Sequence, residues 1–572
     1  MTDSTQPRRA APTFSELFTP KFVTVLREGY GLGALRADTV AGLTVAMVAL
    51  PLSMAIATAS GTTPDKGLYA AIVGGFLISL LGGSRFQIGG PAGAFIVLVA
   101  SSIERHGYEG FLLATLMAGL LMMLMGFLRL GTYIKYIPHP VTVGFTSGIA
   151  VIIFASQLVD LLGLKLAGRE PAALLPKLEA IRIALPTFNP AAIGVAALAL
   201  AVILGLRRWR PHWPGFLIAI VVGGACAALL ARMGVEVATI GSKFGGIPSS
   251  LPTPELPPMS LKTIAAVFPD AVAIAILGSI ESLLSAVVAD GMSGRRHRSN
   301  CELVAQGVAN IGCALFGGMC ATGTIARTAT NVRSGARGPV AGMIHAAALL
   351  VMMLVAAPLA AYIPLAALAA VLAVVSWNMA EKAEFAAILR RSRGDGLVLL
   401  ATFLLTVFRD LTEGIAVGVV LGSVIFMHRM AELVQVQTQT RLIEEDRADS
   451  DGGSDRSPYA GPGVPSDTLV YRISGPFFFG AASEVTAVLD RMGQTPRVVI
   501  LDLSAVPFVD GTAALALEGF VAKARRSGTH IWLAGASAPV RRVLVDHGVG
   551  DDHAGWAADV PAALTAAQAT QD

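Results

Sequence analysis

Long uncharged, apolar runs fill most of the chain between residues 39 and 428. A bilayer core requires about 20 apolar residues per crossing helix, so these runs indicate a polytopic α-helical membrane protein. The composition agrees, since 54% of the 572 residues are hydrophobic and only 14% are charged. Soluble proteins carry about a quarter charged residues. After residue 431 the sequence becomes polar and mixed, which predicts a separate soluble domain.

The apolar runs predict fourteen transmembrane segments, seven before the polar loop at 232–262 and seven after it. The run at 338–380 is too long for one helix, and we expect Pro358 and Pro364 to divide it. The sequence GGMCATG divides another run. The predicted segments are 39–64, 67–84, 86–103, 111–128, 136–159, 183–206, 213–231, 271–289, two within 303–326, two within 338–380, 396–408 and 414–428.

Basic residues are concentrated in the loops that follow even-numbered segments. Cytoplasmic loops carry an excess of lysine and arginine, and an even number of crossings places both termini on one side. We therefore expect a bacterial-type inner membrane protein with both termini in the cytoplasm and no cleaved signal peptide. The basic residues concerned are Arg85, Arg129, Lys135, Arg207, Arg208, Arg210, Arg295, Arg296, Arg298, Arg333, Arg337, Arg390, Arg391 and Arg393.

Two glycine-interrupted breaks, GGPAGAF at 89–95 and GGMCATGTIAR at 317–327, lie at one repeat offset. Pro91 and Thr324 are 233 positions apart, and the same offset relates the second segment to the ninth. A repeat of seven segments is odd, so the second copy must be inverted in the membrane. Broken helices at matching positions of inverted halves indicate a binding site near the midplane. The alternative is that the glycines only allow close helix packing.

These breaks would place two helix N-termini inside the membrane. Each would offer backbone N–H groups without intrahelical partners and the positive end of a helix dipole. Pro91 suits a first helical turn, and Thr322 or Thr324 can cap the second half-helix. Two such starts form a cage for an anion. Arg327 would add a guanidinium that suits carboxylate, sulfate or bicarbonate, unless it is a loop arginine facing the cytoplasm.

Glu281 is an acidic residue in the middle of the apolar span DAVAIAILGSIESLLSAVVAD. An ionisable group at that depth is costly and usually functional, so Glu281 is a candidate to carry a coupling proton. Ser279, Ser282 and Ser285 could help to coordinate a proton or sodium, or they could be packing residues. A neutral Glu281 bonded to a neighbouring helix is the structural alternative.

Six motifs together resemble the SulP (solute carrier 26) anion transporters over nearly the whole chain from about Leu35. The resemblance implies a seven-plus-seven inverted repeat in which a core domain moves against a gate domain, usually in a homodimer. The motifs are PLSMAIATASG at 51–61, PDKGLY at 64–69, GGSRFQIGGPAGAF at 82–95, GFTSGIAVII at 144–153, LGSIESLLSAV at 277–287 and ATGTIART at 321–328.

The resemblance also implies where the anion is held, between the starts of segments three and ten. Many animal members carry a glutamine and an aromatic residue where this chain has Leu52 and Ile56, so a polar contact is missing. That departure favours the bacterial branch of C4-dicarboxylate and sulfate transporters, in which Glu281 has a matching acid. The implied substrate-binding residues are Leu52, Ile56, Pro91, Ala92, Gly93, Ala94, Gly323, Thr324, Ile325, Ala326 and Arg327, with Glu281 and Ser285 for ion coupling.

The C-terminal part alternates short strands and helices, which indicates an α/β sheet. TLVYRIS at 468–474 and RVVILDLS at 497–504 are predicted strands, and ASEVTAVLDRM between them is a predicted helix. The pattern resembles the STAS domain (sulfate transporter and anti-sigma antagonist). In anti-sigma relatives a phosphorylatable serine lies in the turn that reads Asp510-Gly511-Thr512 here. Thr512 is therefore a candidate regulatory residue, or else the N-cap of the following helix.

The predicted domains are an N-terminal segment 1–36, a transporter domain 37–435, a linker 436–466 and a STAS domain 467–567. We expect a secondary active transporter of sulfate or dicarboxylates that works by alternating access and proton symport. A sodium-coupled transporter of bicarbonate or another inorganic anion, an uncoupled conductor and a STAS-linked anion sensor remain alternatives.

The sequence contains no nucleophile–base pair, phosphate-binding loop or metal-spaced cluster. We therefore expect no enzymatic activity, no cofactor, no metal and no nucleic acid partner. The expected partners are the anion, a coupling proton or sodium, membrane lipid, a second copy of the chain and a cytoplasmic protein that binds the STAS domain.

Overall fold

The chain forms two compact units, Met1–Val419 and Val420–Asp572. The predicted helix ASEVTAVLDRM and most of the predicted linker lie outside the residues that the structure describes. The computed structural model describes residues 13–133, 136–168, 170–171, 173–210, 213–409, 411–432, 435–438, 468–480, 482, 496–550 and 552–569.

The first unit is built from helices. They are α1 Phe14–Phe18, α2 Lys21–Arg27, α3 Leu32–Ala59, α4 Pro64–Tyr69, α5 Gly75–Leu81, α6 Ile96–Phe127, α7 His139–Leu162, α8 Leu174–Ala184, α9 Pro190–Trp209, α10 Gly215–Arg232, α11 Ile240–Phe244, α12 Leu261–Ser293, α13 Ser299–Leu315, α14 Ile325–Arg333, α15 Val340–Ala360, α16 Leu365–Met379, α17 Lys382–Arg391, α18 Arg393–Phe408 and α19 Leu411–Glu432, whose end belongs to the second unit. A π-helical turn, Ala70–Gly74, joins α4 to α5.

Ten helical stretches in the described part of the chain are long and apolar enough to cross a membrane, when α4 to α5 (Pro64–Leu81) and α16 to α17 (Leu365–Arg391) each count as one stretch. The count of fourteen segments stays a prediction, since α13, α14 and α18 fall short of that length. The predicted segments three and four are joined in α6, which bends at Gly107 where φ is 71°. Only glycine adopts that conformation without strain, so the bend requires a glycine at this position.

The two prolines of the long apolar run behave differently. Pro364 precedes α16 and ends the preceding turn, as predicted. Pro358 lies inside α15, so the prediction that it divides the run is wrong. A proline beyond the first turn removes its own i→i−4 hydrogen bond, and Pro358 does so in the last turn of α15, which ends two residues later. Helix α12 likewise contains Pro269 and begins at Leu261, ahead of the predicted segment, with the Ser260 hydroxyl accepting from the Thr263 N–H.

Small residues let the helices of the first unit approach closely. A Cβ atom on Gly119 of α6 would lie 2.6 Å from the carbonyl oxygen of Gly307 in α13, and one on Gly307 would lie 2.5 Å from that of Gly119. A Cβ on Gly42 of α3 would lie 2.5 Å from the Ala341 oxygen in α15. Because such contacts exclude any side chain, the helices that hold the two breaks are packed backbone to backbone.

Besides the end of α19, the described residues of the second unit form a five-stranded sheet and three helices. The elements are β3 Gln435–Thr438, β4 Thr468–Ser474, β5 Val498–Ala505, α20 Gly511–Arg526, β6 His530–Ala534, α21 Ala538–Asp546, β7 Gly555–Ala557 and α22 Val560–Ala569. The strands are ordered β3-β4-β5-β6-β7, with β3 antiparallel to β4 and the other pairs parallel, so the predicted α/β sheet is confirmed. Leu501 and Leu533 face the apolar layer that includes α20 and α21, and Val498 and Ile500 pack with α22 on the other face.

Candidate functional site

The two glycine-interrupted breaks meet in a two-stranded antiparallel ribbon. Its strands are β1, Gly89–Gly90, and β2, Thr322–Gly323, each buried on both sides. Gly89 pairs with Gly323 and Gly90 pairs with Thr322. The chain leaves β1 into α6 and leaves β2 into α14, so the ribbon places the starts of two helices side by side.

The helix starts differ in detail from the sequence prediction. Helical structure on the first side begins at Gly93, so Pro91 precedes the first turn and is not part of it. Thr324 lies at the N-cap position of α14, but its side chain makes no cap. Its N–H and hydroxyl both approach the carbonyl oxygen of Ile88, at 3.0 and 3.4 Å. The predicted capping by Thr322 or Thr324 is therefore wrong, because both residues bond across the break.

The first turns of both half-helices present free backbone N–H groups. Such groups have no intrahelical acceptor. Within the described residues, the N–H groups of Gly93, Ala94, Ile325 and Ala326 find no acceptor elsewhere either. Together with the positive ends of two helix dipoles, these donors make a site suited to an anion.

Arg327 is a buried residue and not a loop arginine, with 1% of its surface exposed. Its Nη2 donates to the Pro91 carbonyl oxygen at 3.1 Å and to the Ser53 hydroxyl at 3.3 Å. Its Nε and Nη1 have no partner among the described residues. A Cβ atom on Gly90 would lie 2.1 Å from Nη1, so the guanidinium rests directly against the ribbon backbone. The Nε and Nη1 donors are therefore unpaired and available to a ligand.

Glu281 lies on α12, which packs against α14, the helix that carries Arg327; among the described residues no ion pair within 4 Å joins the two side chains. Its Oε2 is buried without a hydrogen-bond partner. Glu302 provides a contrast, because its Oε2 accepts from the Ser84 N–H at 3.0 Å and its Oε1 accepts from Gln306 Nε2 at 2.8 Å. The bonding that the structural alternative requires is thus found at Glu302 and not at Oε2 of Glu281.

Two serines connect α12, which carries Glu281, to the second break. Ser282 Oγ accepts from the Gly323 N–H at 3.2 Å and shares a 2.5 Å hydrogen bond with Thr322 Oγ1. Ser285 Oγ donates to Thr328 Oγ1 at 3.2 Å. Both hydroxyls are buried, so Ser282 and Ser285 hold the half-helix in place, and a further role of Ser285 in ion coupling stays a prediction.

Four of the apolar residues implied by the resemblance are buried in one cluster. They are Leu52, Ile56, Ala92 and Ala94. Ser53, which directly follows Leu52, supplies the hydroxyl that accepts from Arg327, so the polar contact comes from a neighbour of the two expected positions. Ser53 belongs to the motif PLSMAIATASG. Its place between Leu52 and Ile56 on one helix was the signal that could have identified it.

Asn310 is a residue that the sequence interpretation missed. Its Oδ1 accepts from the Ala321 N–H at 2.9 Å, and its Nδ2 donates to the Ala321 carbonyl oxygen at 2.8 Å. The side chain thereby satisfies the backbone just before β2, where a helix is absent. A polar amide in an otherwise apolar span was the available signal.

In the second unit, Thr512 does not cap α20. Asp510 is the N-cap, since its Oδ1 accepts from the Ala513 N–H at 2.9 Å, and its Oδ2 accepts from the Phe479 N–H at 3.0 Å. Thr512 is exposed on the first turn of the helix. The alternative that Thr512 is a cap is therefore wrong, and its regulatory role stays a prediction.

Comparison with known proteins gives consistent matches. The sulfate permease family profile matches residues 35–402, and the STAS domain profile matches 462–558. The putative sulfate transporter YvdB of Bacillus subtilis (strain 168) is 39% identical over 532 residues, covering 92% of this chain and 97% of that protein. The bicarbonate transporter BicA of Picosynechococcus sp. is 31% identical over 526 residues, covering 89% of this chain and 90% of that protein.

A solved structure shares the fold. The murine solute carrier 26 family member A9 anion transporter, in the inward-facing state, aligns with a TM-score of 0.83 at 20% identity, covering 99% of this chain and 97% of that one. The fold and the paired half-helices define a multi-pass membrane transporter of anions. The chain belongs to the sulfate permease (SulP, solute carrier 26) family and carries a C-terminal STAS domain.

Proposed function

We propose that this transporter is a proton-coupled symporter of a small oxyanion of the sulfate or C4-dicarboxylate class that works by alternating access. One observation carries the proposal. The buried guanidinium of Arg327 keeps two unpaired donors beside two helix starts, and the nearby Glu281 keeps a buried, unpaired oxygen.

The anion is bound by Arg327 and by the first-turn N–H groups of α6 and α14. A planar guanidinium with two free N–H donors suits carboxylate or sulfate oxygens better than a spherical halide. Leu52 and Ile56 form an apolar wall that excludes water and strengthens these charged hydrogen bonds.

The coupling follows from the charge on Glu281. An ionised Glu281 offsets the positive charge of Arg327 and weakens its attraction for an anion. A protonated Glu281 leaves that charge available. Proton and anion therefore favour each other's binding, and by linkage the effect is reciprocal.

Uptake by purified protein in liposomes tests the coupling. Radiolabelled sulfate and succinate are offered with and without an inward proton gradient. We expect the gradient to accelerate uptake by the wild type and to have no effect on Glu281→Gln. Glu302→Gln is the matched control, since Glu302 is a buried acid whose two oxygens are bonded, and it should keep the gradient dependence. Gradient-driven uptake by Glu281→Gln would refute the role of this residue.

A second candidate is sodium-coupled transport of bicarbonate, for which the 31% identity to a bicarbonate transporter supports the substrate alone. In that case labelled bicarbonate uptake responds to a sodium gradient and not to a proton gradient. An uncoupled conductor would instead carry currents far larger than its labelled uptake, with neither gradient required.

We further propose a bacterial-type inner membrane location, with both termini in the cytoplasm, and a homodimer. The basic loops after even-numbered segments support this orientation. A protease added to sealed inside-out vesicles should remove the second unit, and the same protease should leave it intact in right-side-out vesicles. Crosslinking in native membranes, with concentration-matched controls, tests the dimer and captures any protein bound to the STAS domain.

A further inference from the structure

A cavity of about 200 Å³ lies where α3 ends and α6 begins. Thr58 and Ser60 at the end of α3 line it, together with Ile96 and Val97 in the first turn of α6. Thr58 and Ile96 come two positions after Ile56 and Ala94 of the candidate site. The cavity therefore lies on the side of that site that faces the membrane surface at which α3 ends. The distribution of basic loops predicts that this face is the extracytoplasmic one.

The outer part of the cavity is charged. Glu104, Glu170, Lys177 and Lys243 all line it. Lys243 is half exposed and its Nζ lies 3.6 Å from Asp160 Oδ1. Lys177 is different, because only 5% of its surface is exposed, and lysines are rarely buried unless they are paired.

The partner of Lys177 is a carboxylate from the segment that precedes α8. Lys177 Nζ lies 2.9 Å from Glu170 Oε1, and the Glu170 side chain is one third exposed. A buried ammonium group left without a counter-charge is costly. Glu170 Oε1 is buried against Lys177, but the rest of its side chain reaches water, so the carboxylate can be hydrated when it turns away from its partner. An anion that enters the cavity can therefore take the place of Glu170 at little cost, while Lys177 stays paired throughout.

We propose that Lys177 is the first residue to bind the anion on this face, and that Glu170 is a tethered carboxylate that occupies it when no anion is present. The substrate and Glu170 then compete for one ammonium group. This inference rests on the anion transport proposed above and adds a second, transient site on the way to Arg327. Substitution of the two partners should change the affinity for the anion in opposite directions.

The test uses the full chain in sealed membrane vesicles and measures initial rates against radiolabelled sulfate. With sulfate on the cavity side, Lys177→Gln should raise KM about tenfold, the loss typical of one charge-assisted hydrogen bond. Glu170→Gln should lower KM, since the competing carboxylate is gone. In both variants kcat should change less than about twofold. Lys177→Arg keeps the charge and should restore most of the affinity.

Glu179→Gln is the matched control, because it removes one acid from the exposed Glu179–Arg182 pair on the same helix. It should leave KM unchanged. Vesicles of the opposite orientation should show no KM shift with any variant. If Lys177→Gln and Glu170→Gln both raise KM, or if both lower only kcat, the pair is structural and the proposal fails.

The outcome is independent of the coupling proposal. Opposite KM shifts together with gradient-independent wild-type uptake would refute proton coupling and leave the Lys177 site intact. Unchanged KM values together with gradient-driven uptake would refute the Lys177 site and leave the coupling intact.

Discussion

Arg327 Nη2 donates to the carbonyl oxygen of Pro91 at 3.1 Å, across 236 positions of the chain. One residue belongs to the second half-helix and the other immediately precedes the first. The hydrogen bond therefore fixes the charged group of one repeat against the backbone of the other. The Nε and Nη1 donors of Arg327 have no partner among the described residues and are available to a ligand. The first prediction concerns these donors.

Arg327→Gln should weaken anion binding about 10- to 100-fold, because it removes a positive charge and two charge-assisted hydrogen bonds. Initial uptake rates against sulfate and succinate measure the change in KM. Arg333→Gln is the control, since Arg333 is an exposed arginine on the same helix. Equal losses in the two variants would show that Arg327 acts only through the overall charge of α14.

Ser282→Ala should lower the free energy of unfolding by about 1–3 kcal/mol, because the buried Gly323 N–H loses its acceptor. Ser279→Ala provides a control one turn earlier on α12. The Ser279 hydroxyl is buried without a partner among the described residues, so its removal should be neutral or stabilising. Thermal unfolding in detergent compares the two, and a larger loss for Ser279→Ala would contradict the assignment.

Asp510→Ala should destabilise the start of α20 by about 1 kcal/mol, the usual cost of losing an N-cap. Hydrogen exchange in the full chain should report faster exchange at the amides of Ala513 and Phe479, which donate to Asp510. Thr512→Ala should leave both amides protected. Faster exchange in Thr512→Ala would mean that the threonine hydroxyl, and not Asp510, supports this turn.

Asp502 on β5 should make the second unit sensitive to acid. Burial by itself would raise the pKa of Asp502, but hydrogen bonds from Ser504 and from the Arg472 guanidinium outweigh it and lower the pKa. Stabilisation from a lowered pKa is complete above the unfolded value, about 3.9, and is lost as the pH falls through the folded value. The protection factors of the β4 and β5 amides, which correct for the intrinsic pH dependence of exchange, should therefore fall as the pH drops below about 4.

Asp502→Asn should flatten that pH dependence. Asp546→Asn, which changes an exposed carboxyl group of the same unit, should not. A pH dependence that survives in Asp502→Asn would assign the acid sensitivity to other carboxyl groups.

The positions of the two breaks were predictable because several glycines within seven residues disfavour a continuous helix, whereas single prolines such as Pro269 and Pro358 are tolerated inside one. The repeat offset requires only counting. The roles of single residues at the breaks were less predictable. Pro91 and Thr324 have the chemistry of helix starts, but Pro91 lies ahead of the first turn and Thr324 donates to the Ile88 carbonyl oxygen of the other half. Pairing between distant parts of a chain leaves no periodic signal in the sequence.

The partners of Ser53 and Asn310 could not be predicted for a related reason. Each is a polar residue in an apolar helix, so each was visible, but its target depends on which helix lies opposite. The soluble part was easier to predict, since strand and helix periods are local. The alternative that Thr512 caps the helix was wrong, because Asp510 and Thr512 both suit that role and only the geometry of the turn selects the Asp510 carboxylate.

The ribbon of Gly89–Gly90 with Thr322–Gly323 also constrains biosynthesis. The ribosome completes the first strand long before it reaches the second, and N-terminal segments enter the membrane first. Until then, the start of α6 lies in the bilayer without its pairing partner and without Arg327. A nascent chain that ends before residue 322 therefore presents the first half-helix without the second one and without the Arg327 guanidinium. The anion site is completed only after more than half of the chain has been synthesised.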